Sequence, residues 1–433
     1  MHWSAVRTMV VPVLLLVGSH ASFADVPTYS AAGPDDSPAI ARLKAPGTID
    51  AAAVKQFWES VRRTGAPLIE PVAGEKGWSF VTFVWRGDDE TRNIVIFDGV
   101  AGFDAKDRMQ QIVGTDIWYK TYRVRNDARF AYNLSPNDSL QSINEIKGDE
   151  DMKKRLAVFR ADPLNPHHCP TTFGAYGAES SYVELPDAGP LLWESSWEGV
   201  ARGRVEETQL HSTFLDRDKK LWVYTPPGFK KSHRPYPLLV LFDGDRNSMW
   251  MPKLLDLMIA HGQIPPVVAV MTDESTPSIR NSELPCNPQF ADFLARELVP
   301  WVRARYDVTA SPAETIVAGS SYGGLASVFA GMKHPEVFGN VIALSGSFFW
   351  KPEGTSEGEW LTRFVDSTPK LPLRFYLEVG LMEDFSFEVG PNRHMERTLL
   401  AKKYPTGYAE FDGGHSFLTW SQGMVHGLSY LLR

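Results

Sequence analysis

Cysteine and net positive charge are both scarce in this sequence. Only 2 of its 433 residues are cysteines, which excludes a small fold built on disulfide bonds. Acidic residues outnumber basic ones by 52 to 44, so the chain lacks the positive field that general binding to nucleic acids requires. Aromatic residues make up 12% of the chain, which is enough apolar surface to exclude disorder over most of it. The length indicates roughly two or three folded domains.

The first 24 residues have the composition of a secretory signal peptide. Arg7 precedes the apolar run Met9–Gly18, and Ser22-Phe23-Ala24 offers a small-x-small cleavage site. The run is shorter than the about 20 residues that a membrane-spanning helix needs, which favours a cleaved signal over an uncleaved anchor. We therefore expect export to a bacterial periplasm, with no membrane attachment after cleavage.

The two cysteines leave their own state open. Export permits a disulfide between Cys169 and Cys286, but two buried free thiols fit the sequence equally well. His167-His168-Cys169 resembles a fragment of a metal site, yet adjacent side chains point in different directions and no second cluster has zinc-type spacing. We expect no metal centre.

Two textures divide the rest of the chain. Residues 25–50 are rich in Ala, Pro, Ser and Asp and are interpreted as a linker. Residues 51–190 contain short β-branched and aromatic runs separated by turn signals, which predict an N-terminal β-sandwich. From residue 195 to 433, continuous apolar runs alternate with helical periodicity, which predicts an α/β domain with a mostly parallel sheet.

The strongest chemical signal is Gly319-Ser320-Ser321-Tyr322-Gly323, a G-x-S-x-G motif between a predicted strand and a predicted helix. This context favours Ser321 as a nucleophile on a sharp turn; Ser320 lacks the symmetric glycines. The backbone N–H of Tyr322 would then face a developing oxyanion. The loop after an early buried strand normally supplies the second donor, and here a backbone N–H near Asp245 is the candidate.

A serine nucleophile needs a base and an orienting acid, which follow it in the chain in α/β-hydrolases. His415 is the predicted base, since it follows two glycines in a late loop, whereas His426 falls on the last predicted helix. Glu383 and Asp384 both follow the penultimate strand. Glu383 is preferred as the acid and Asp384 is the alternative. Asp412 is close enough in sequence to His415 to assist it.

At these residues the chain resembles the enterochelin (enterobactin) esterase family, within the esterase D group of α/β-hydrolases. The resemblance covers most of the chain after the signal peptide. Its motifs in the catalytic half are Phe242-Asp243-Gly244, residues 280–287, residues 319–325, residues 344–347 and Gly413-Gly414-His415. In the N-terminal half they are residues 81–85, residues 114–118 and residues 162–166.

This resemblance implies an α/β-hydrolase domain preceded by an immunoglobulin-like, early-set β-sandwich specific to the family. It implies a small-molecule substrate, a cyclic triserine catecholate siderophore, with ferric iron only as cargo of the substrate and no cofactor. It also supports Glu383, because the family's acid follows a similar strand end. Such an anionic, aromatic substrate calls for cations and aromatic walls, and Arg246, Arg280, Trp250 and Trp350 are the predicted contacts.

Two other functions remain open from the sequence. A feruloyl or acetyl esterase would share the catalytic fold and differ in a neutral aromatic groove. A siderophore-binding protein would keep the fold without the chemistry, although Ser321, His415 and Glu383 together disfavour it. The oligomeric state, the preferred catecholate and the extent of hydrolysis are not predicted.

Overall fold

The computed structural model describes residues 37–102, 107–146, 148–170, 179–230, 234–274 and 276–433. The predicted signal peptide, residues 1–24, lies outside these ranges. Within them, no helix is both long and apolar enough to span a membrane. Cys169 and Cys286 are buried free thiols, so they do not form the disulfide that the sequence left open.

The N-terminal part is a sandwich of two four-stranded antiparallel sheets, in the orders β1-β2-β5-β4 and β3-β6-β8-β7. Phe83, Tyr122 and Tyr132 are fully buried between the two sheets. The strands are β1 Leu68–Pro71, β2 Trp78–Arg86, β3 Ile94–Phe97, β4 Gln110–Gln111, β5 Ile117–Arg125, β6 Arg129–Pro136, β7 His168–Pro170 and β8 Glu179–Glu184. The predicted sandwich is confirmed.

Two helices cover the outer face of the first sheet. They are α1 (Pro38–Lys44) and α2 (Ala51–Thr64), and a third helix, α3 (Asp149–Leu156), lies between β6 and β7. Ile40 and Trp58 are buried against the sheet. Residues 37–44 were interpreted as linker, but Ser37 caps α1 and its apolar residues have a sheet face to bury, so this stretch is folded.

The C-terminal part is built on an eight-stranded sheet in the order β9-β10-β12-β11-β13-β14-β15-β16. Strands β9, β10 and β12 pair antiparallel, and the pairs from β12 through β11 to β16 are parallel. The strands are β9 Arg204–Ser212, β10 Arg217–Thr225, β11 Leu238–Leu241, β12 Val268–Thr272, β13 Thr315–Ser320, β14 Asn340–Leu344, β15 Arg374–Gly380 and β16 Thr406–Phe411. The predicted, mostly parallel sheet is confirmed.

Helices cover both faces of this sheet. One face packs against α5 and α12, and the other against α7 to α11. The helices are α4 Gly244–Asn247, α5 Met251–Ala260, α6 Pro277–Glu283, α7 Pro288–Phe293, α8 Val299–Arg305, α9 Tyr322–Lys333, α10 Trp360–Ser367, α11 Gly390–Ala401 and α12 Phe417–Leu431. Because ligands of such sheets bind outside the carboxyl ends of the parallel strands, the loops after β11, β13, β15 and β16 define the functional edge.

Candidate active site

Ser321 occupies a strained turn between β13 and α9. Its backbone has φ 58° and ψ −124°, a conformation that costs a non-glycine residue of order 1–3 kcal/mol. A Cβ on Gly319 would lie 2.6 Å from the backbone carbon of Gly323, so only glycine lets the chain turn this sharply. The Ser321 N–H donates to Leu344 O at 2.9 Å, which fixes the turn to β14. The predicted nucleophile therefore stands on the kind of turn that exposes a serine hydroxyl.

The residues after Ser321 begin helix α9, which places backbone N–H groups of its first turn next to the serine. The first intrahelical bond joins the Leu325 N–H to Ser321 O. The N–H of Tyr322 lies in the first turn, where no carbonyl four residues earlier is available to it. The helix dipole adds positive potential at this point.

His415 and Glu383 are hydrogen-bonded to each other. His415 Nδ1 lies 2.6 Å from Glu383 Oε2, and the Glu383 side chain is only 1% exposed. His415 follows β16 and Glu383 follows β15, so both arrive at the edge that carries Ser321. With Nδ1 engaged by the carboxylate, Nε2 is the nitrogen that can exchange a proton with a nucleophile.

Glu383 is held in place by neutral donors. Its Oε1 accepts the Ser345 hydroxyl at 2.6 Å and the Gly380 N–H at 2.9 Å. Trp420 Nε1 donates to Ser345 Oγ at 3.0 Å, and its ring meets the His415 ring edge-on with centroids 4.9 Å apart. Ser345 and Trp420 thus hold Glu383 and His415 in place together. Neither residue was a predicted site residue, although Ser345 lies in the family-like motif of residues 344–347.

The other acidic candidates have different partners. Asp384 accepts the N–H groups of Ser386 and Phe387 and caps a π-helical turn, Phe385–Val389. Glu378 Oε2 lies 3.0 Å from His426 Nδ1, which gives His426 a separate partner. Of the two carboxylates predicted after β15, the structure brings Glu383 to His415.

The predicted second oxyanion loop follows β11. Asp243 adopts a left-handed conformation with φ 52°, and its N–H donates to Glu274 Oε2 at 2.7 Å. Burial raises the pKa of Glu274 to about 7, against the opposing charge of Lys219. A Cβ on Gly323 would lie 3.7 Å from Asp243 Oδ2, so this loop runs beside the start of α9. The residue of this loop that the distance places beside α9 is Asp243.

Arg246 and Arg280 converge on Asp243. Arg280 bonds both carboxylate oxygens, with Nε–Oδ1 at 2.7 Å and Nη2–Oδ2 at 3.0 Å, and Arg246 Nη2 reaches Oδ1 at 2.6 Å. Although burial alone would raise it, these two guanidiniums lower the pKa of Asp243 to about 2. Asp245 Oδ1 also lies 3.9 Å from Arg246 Nε, so the two arginines face two carboxylates beside this loop.

The two predicted tryptophans differ. Trp250 is 8% exposed and packs edge-on against Phe417 of α12, so the structure makes it part of the core rather than of a substrate wall. Trp350 is half-buried and contacts Trp360 edge-on. Phe385 and Phe387, each 55% exposed, are aromatic side chains near the site that the sequence analysis missed.

Glu388 brings a second carboxyl group to the His415–Glu383 pair. Ligand-type atoms of Glu383, Glu388 and His415 all lie within 4.8 Å of one another, the arrangement that a metal ion would need. Oε2 of Glu388 is buried without a hydrogen-bond partner. Burial, together with the charges of Glu383 and Asp384, raises the pKa of Glu388 well above its ordinary value. The bond between His415 Nδ1 and Glu383 Oε2 already joins two of these three groups directly.

Comparison with known proteins places this geometry in a family. The Esterase family model matches residues 212–431, and the model of the N-terminal domain of enterochelin esterase matches residues 80–194. An iron(III) enterobactin esterase from Escherichia coli O6:H1 is 31% identical over 369 residues, or 80% of this chain and 90% of that protein. The chain belongs to the enterobactin esterase family.

Other members of the family extend the similarity. The iron(III) enterobactin esterase of Dickeya dadantii is 28% identical over 87% of this chain and 92% of its own. The crystal structure of the enterobactin esterase from Shigella flexneri in the presence of enterobactin superposes with a TM-score of 0.70 at 27% identity, covering 87% of this chain and 97% of that one. The family resemblance stated from the sequence is confirmed, and so is the predicted enzyme class, a carboxylic ester hydrolase.

Proposed function

We propose that this protein is a serine esterase that hydrolyses the ester bonds of catecholate siderophores such as ferric enterobactin, and thereby releases iron. The observation that carries the proposal is the bonded His415–Glu383 pair at the same sheet edge as the strained Ser321 turn. The match of residues 80–194 to the enterochelin esterase N-terminal domain favours this substrate class over a feruloyl or acetyl ester. Iron enters as part of the substrate, and no cofactor is needed.

Acylation uses the three residues in sequence. Ser321 Oγ attacks the ester carbonyl carbon while His415 Nε2 takes its proton, and Glu383 stabilises the resulting imidazolium through Nδ1. The N–H groups of Tyr322 and of the loop at Asp245 stabilise the tetrahedral oxyanion. The ester C–O bond then breaks, and His415 returns the proton to the departing seryl hydroxyl.

Deacylation repeats the cycle with water. His415 removes a proton from a water molecule that attacks the acyl-enzyme carbonyl, and the proton passes to Ser321 Oγ as the acyl bond breaks. This step frees a linear carboxylic acid product and restores the serine.

Substrate recognition rests on charge and aromatic surface. The guanidiniums of Arg246 and Arg280 are the proposed partners of the catecholate oxygens, and Arg280 also lies 5.8 Å from the Tyr322 ring centroid. Phe387 contacts Phe349 edge-on and is half exposed, which offers an aromatic face of the kind that Trp350 was predicted to supply.

Residues 1–24 act as a signal peptide in this proposal, and the enzyme works in the periplasm. Expression in a Gram-negative host, fractionation and intact-mass measurement test this directly. We expect a periplasmic protein that begins near Asp25. A full-length cytoplasmic product would contradict the proposed location without affecting the chemistry.

The central experiment is chromatography of products from ferric and iron-free enterobactin, with methyl ferulate and an acetylated sugar in parallel. Wild-type protein should release linear dihydroxybenzoylserine products, whereas Ser321→Ala should release none. Ser320→Ala is the control, because its side chain is the rejected nucleophile candidate. Turnover of ferulate or acetyl ester with intact enterobactin would overturn the proposed substrate class.

A further inference from the structure

The loop that carries His415 has two supports. Residues 412–416 join β16 to α12. The catalytic domain supports one side of this loop through the N–H groups of Leu381 and Met382, which donate to Phe411 O at the end of β16 at 2.8 Å and to Gly413 O at 3.1 Å. The other side of the loop faces the N-terminal sandwich. This second support is not part of the α/β-hydrolase fold.

The sandwich grips Asp412, three residues before the histidine. The N–H of Arg129, at the start of β6, donates to Asp412 O at 2.9 Å. Arg125, at the end of β5, bonds Asp412 Oδ2 through Nε at 2.7 Å. The Asp412 side chain is only 2% exposed, so the sandwich supplies the cation that its buried carboxylate requires.

The two glycines before His415 lie directly against the sandwich backbone. A Cβ on Gly413 would come within 2.7 Å of Arg129 O. A Cβ on Gly414 would come within 3.0 Å of both Asp98 Oδ1 and Gly99 Cα. Neither glycine has a positive φ, so close neighbours, rather than an unusual backbone conformation, exclude larger residues here. These neighbours are the Phe411 ring and the sandwich at Gly413, and the sandwich at Gly414.

Asp98 and Met382 complete the contact. Asp98 is 2% exposed, has φ 73° and accepts the Gly99 N–H, which holds its turn in one shape against the histidine loop. Met382, beside Glu383, packs against the apolar core of the sandwich. The sandwich therefore touches the chain next to both the proposed base and the proposed acid.

From these contacts we infer that the N-terminal domain positions a catalytic residue. Arg125 is a positioning residue that, through Asp412, holds the loop of the catalytic His415. The inference rests on the proposed role of His415 as base. Small displacements of a base cost large factors in rate, because proton transfer requires hydrogen-bond distance to the nucleophile. Loosening the loop should thus slow every reaction that starts with deprotonation of Ser321, whatever the substrate.

The test is the rate at which a fluorophosphonate probe modifies Ser321, together with kcat and KM for ferric enterobactin. In Arg125→Met we expect the modification rate and kcat to fall about tenfold, with KM within about twofold of the wild type. Arg125→Lys should recover part of the loss. Asp412→Asn should also slow both rates. The double variant should be no slower than Arg125→Met, since that variant already removes the Arg125–Asp412 contact together with the two bonds from Arg125 to Asp127.

Arg123→Met is the matched control. Arg123 lies on the same strand, is 34% exposed against 35% for Arg125, and is likewise ion-paired, but its partners are Glu75 and the Trp78 ring. It should keep wild-type rates. If Arg125→Met keeps them too, the inference is wrong. If that variant yields too little folded protein, Gly414→Ala, which places a methyl group against Asp98 and Gly99, must slow the modification instead; an unchanged rate there would equally overturn the inference.

These outcomes are separate from the fate of the proposed function. Modification by the probe requires an activated Ser321 but no siderophore, so a different natural substrate would leave the comparison of variants intact. If the probe modifies the wild-type protein no more than it modifies Ser321→Ala, the proposed catalytic residues are rejected instead.

Discussion

Glu383 and Asp243 are two buried carboxylates at the same edge of the sheet, but their partners differ. Glu383 accepts hydrogen bonds from His415, the Ser345 hydroxyl and a backbone N–H. Asp243 is bonded by two guanidiniums, those of Arg246 and Arg280. In the first arrangement the carboxylate faces a single imidazole, whose charge changes when it gains or loses a proton. In the second arrangement the charges are permanent, and the ion pairs hold the predicted oxyanion loop in place.

Two carboxylates at one sheet edge are therefore expected to differ in role: Glu383 takes part in the reaction, and Asp243 stabilises the fold. Loss of Glu383 should affect rate more than stability, and loss of Asp243 should affect stability at least as much as rate. The expected effects of single substitutions follow from that contrast.

The largest effect is expected from Glu383→Gln. An amide can donate to His415 Nδ1 and so favour the wrong tautomer, which in a comparable triad costs about 10⁴-fold in kcat. We expect a loss of about 10³–10⁴-fold in kcat with a melting temperature close to that of the wild type. Steady-state kinetics and thermal unfolding measure the two effects.

Asp384→Asn serves as the partner variant, since Asp384 caps the neighbouring π-helical turn through the N–H groups of Ser386 and Phe387. Asparagine also caps helices well, so kcat should change by no more than about threefold. A larger loss of kcat in Asp384→Asn than in Glu383→Gln would reverse the assignment of the acid.

The second prediction concerns Asp243→Asn. Removing the carboxylate leaves two partly buried guanidiniums beside each other, and we expect a loss of about 2 kcal/mol of unfolding free energy, less than for a fully buried pair because both arginines are partly exposed. Denaturant unfolding at pH 7 measures it.

The pH dependence supplies an internal check on the same variant. The folded-state pKa of Asp243 is lowered to about 2, so its stabilising contribution is present above the ordinary value of 3.8 and is lost as the pH falls through about 2. The stability gap between wild type and Asp243→Asn should therefore narrow from pH 5 towards pH 2. A gap that stays constant would mean that the ion pairs do not stabilise the fold.

Sequence reasoning reached the features that local chain order controls. Ser321 was predictable because its turn requires glycines at fixed offsets, and Glu383 and His415 because strands β15 and β16 deliver them in a fixed order to one edge. The buried strands were predictable because parallel strands covered on both faces read as continuous apolar runs.

What the sequence could not give depends on contacts between distant segments. Trp250 looked like a substrate contact, but Phe417 of α12 packs on it and makes it core. Asp412 was considered a helper of His415, yet its side chain pairs with Arg125 of the other domain. Nothing in the local pattern around residues 37–44 indicated that a sheet face would be available to bury Ile40.

The smallest effect is predicted at Glu388, the carboxyl group with neither kind of partner. Burial and the charges of Glu383 and Asp384 raise its pKa, so the folded state holds a proton that the unfolded chain releases above its ordinary value of 4.5. An acid with a raised pKa costs stability as the pH increases through that range, and Glu388→Gln removes the cost. We expect the free energy of unfolding of the variant to match that of the wild type near pH 4.5 and to exceed it by an increasing margin towards pH 8. Asp98 and Glu274, whose pKa values burial raises to about 8 and about 7, titrate identically in both proteins and cancel in the difference.

Glu357→Gln, at a side chain that is 77% exposed, should leave unfolding unchanged at both pH values. If Glu388→Gln is no more stable than the wild type at pH 8, a partner such as a bound cation must neutralise Glu388 in solution.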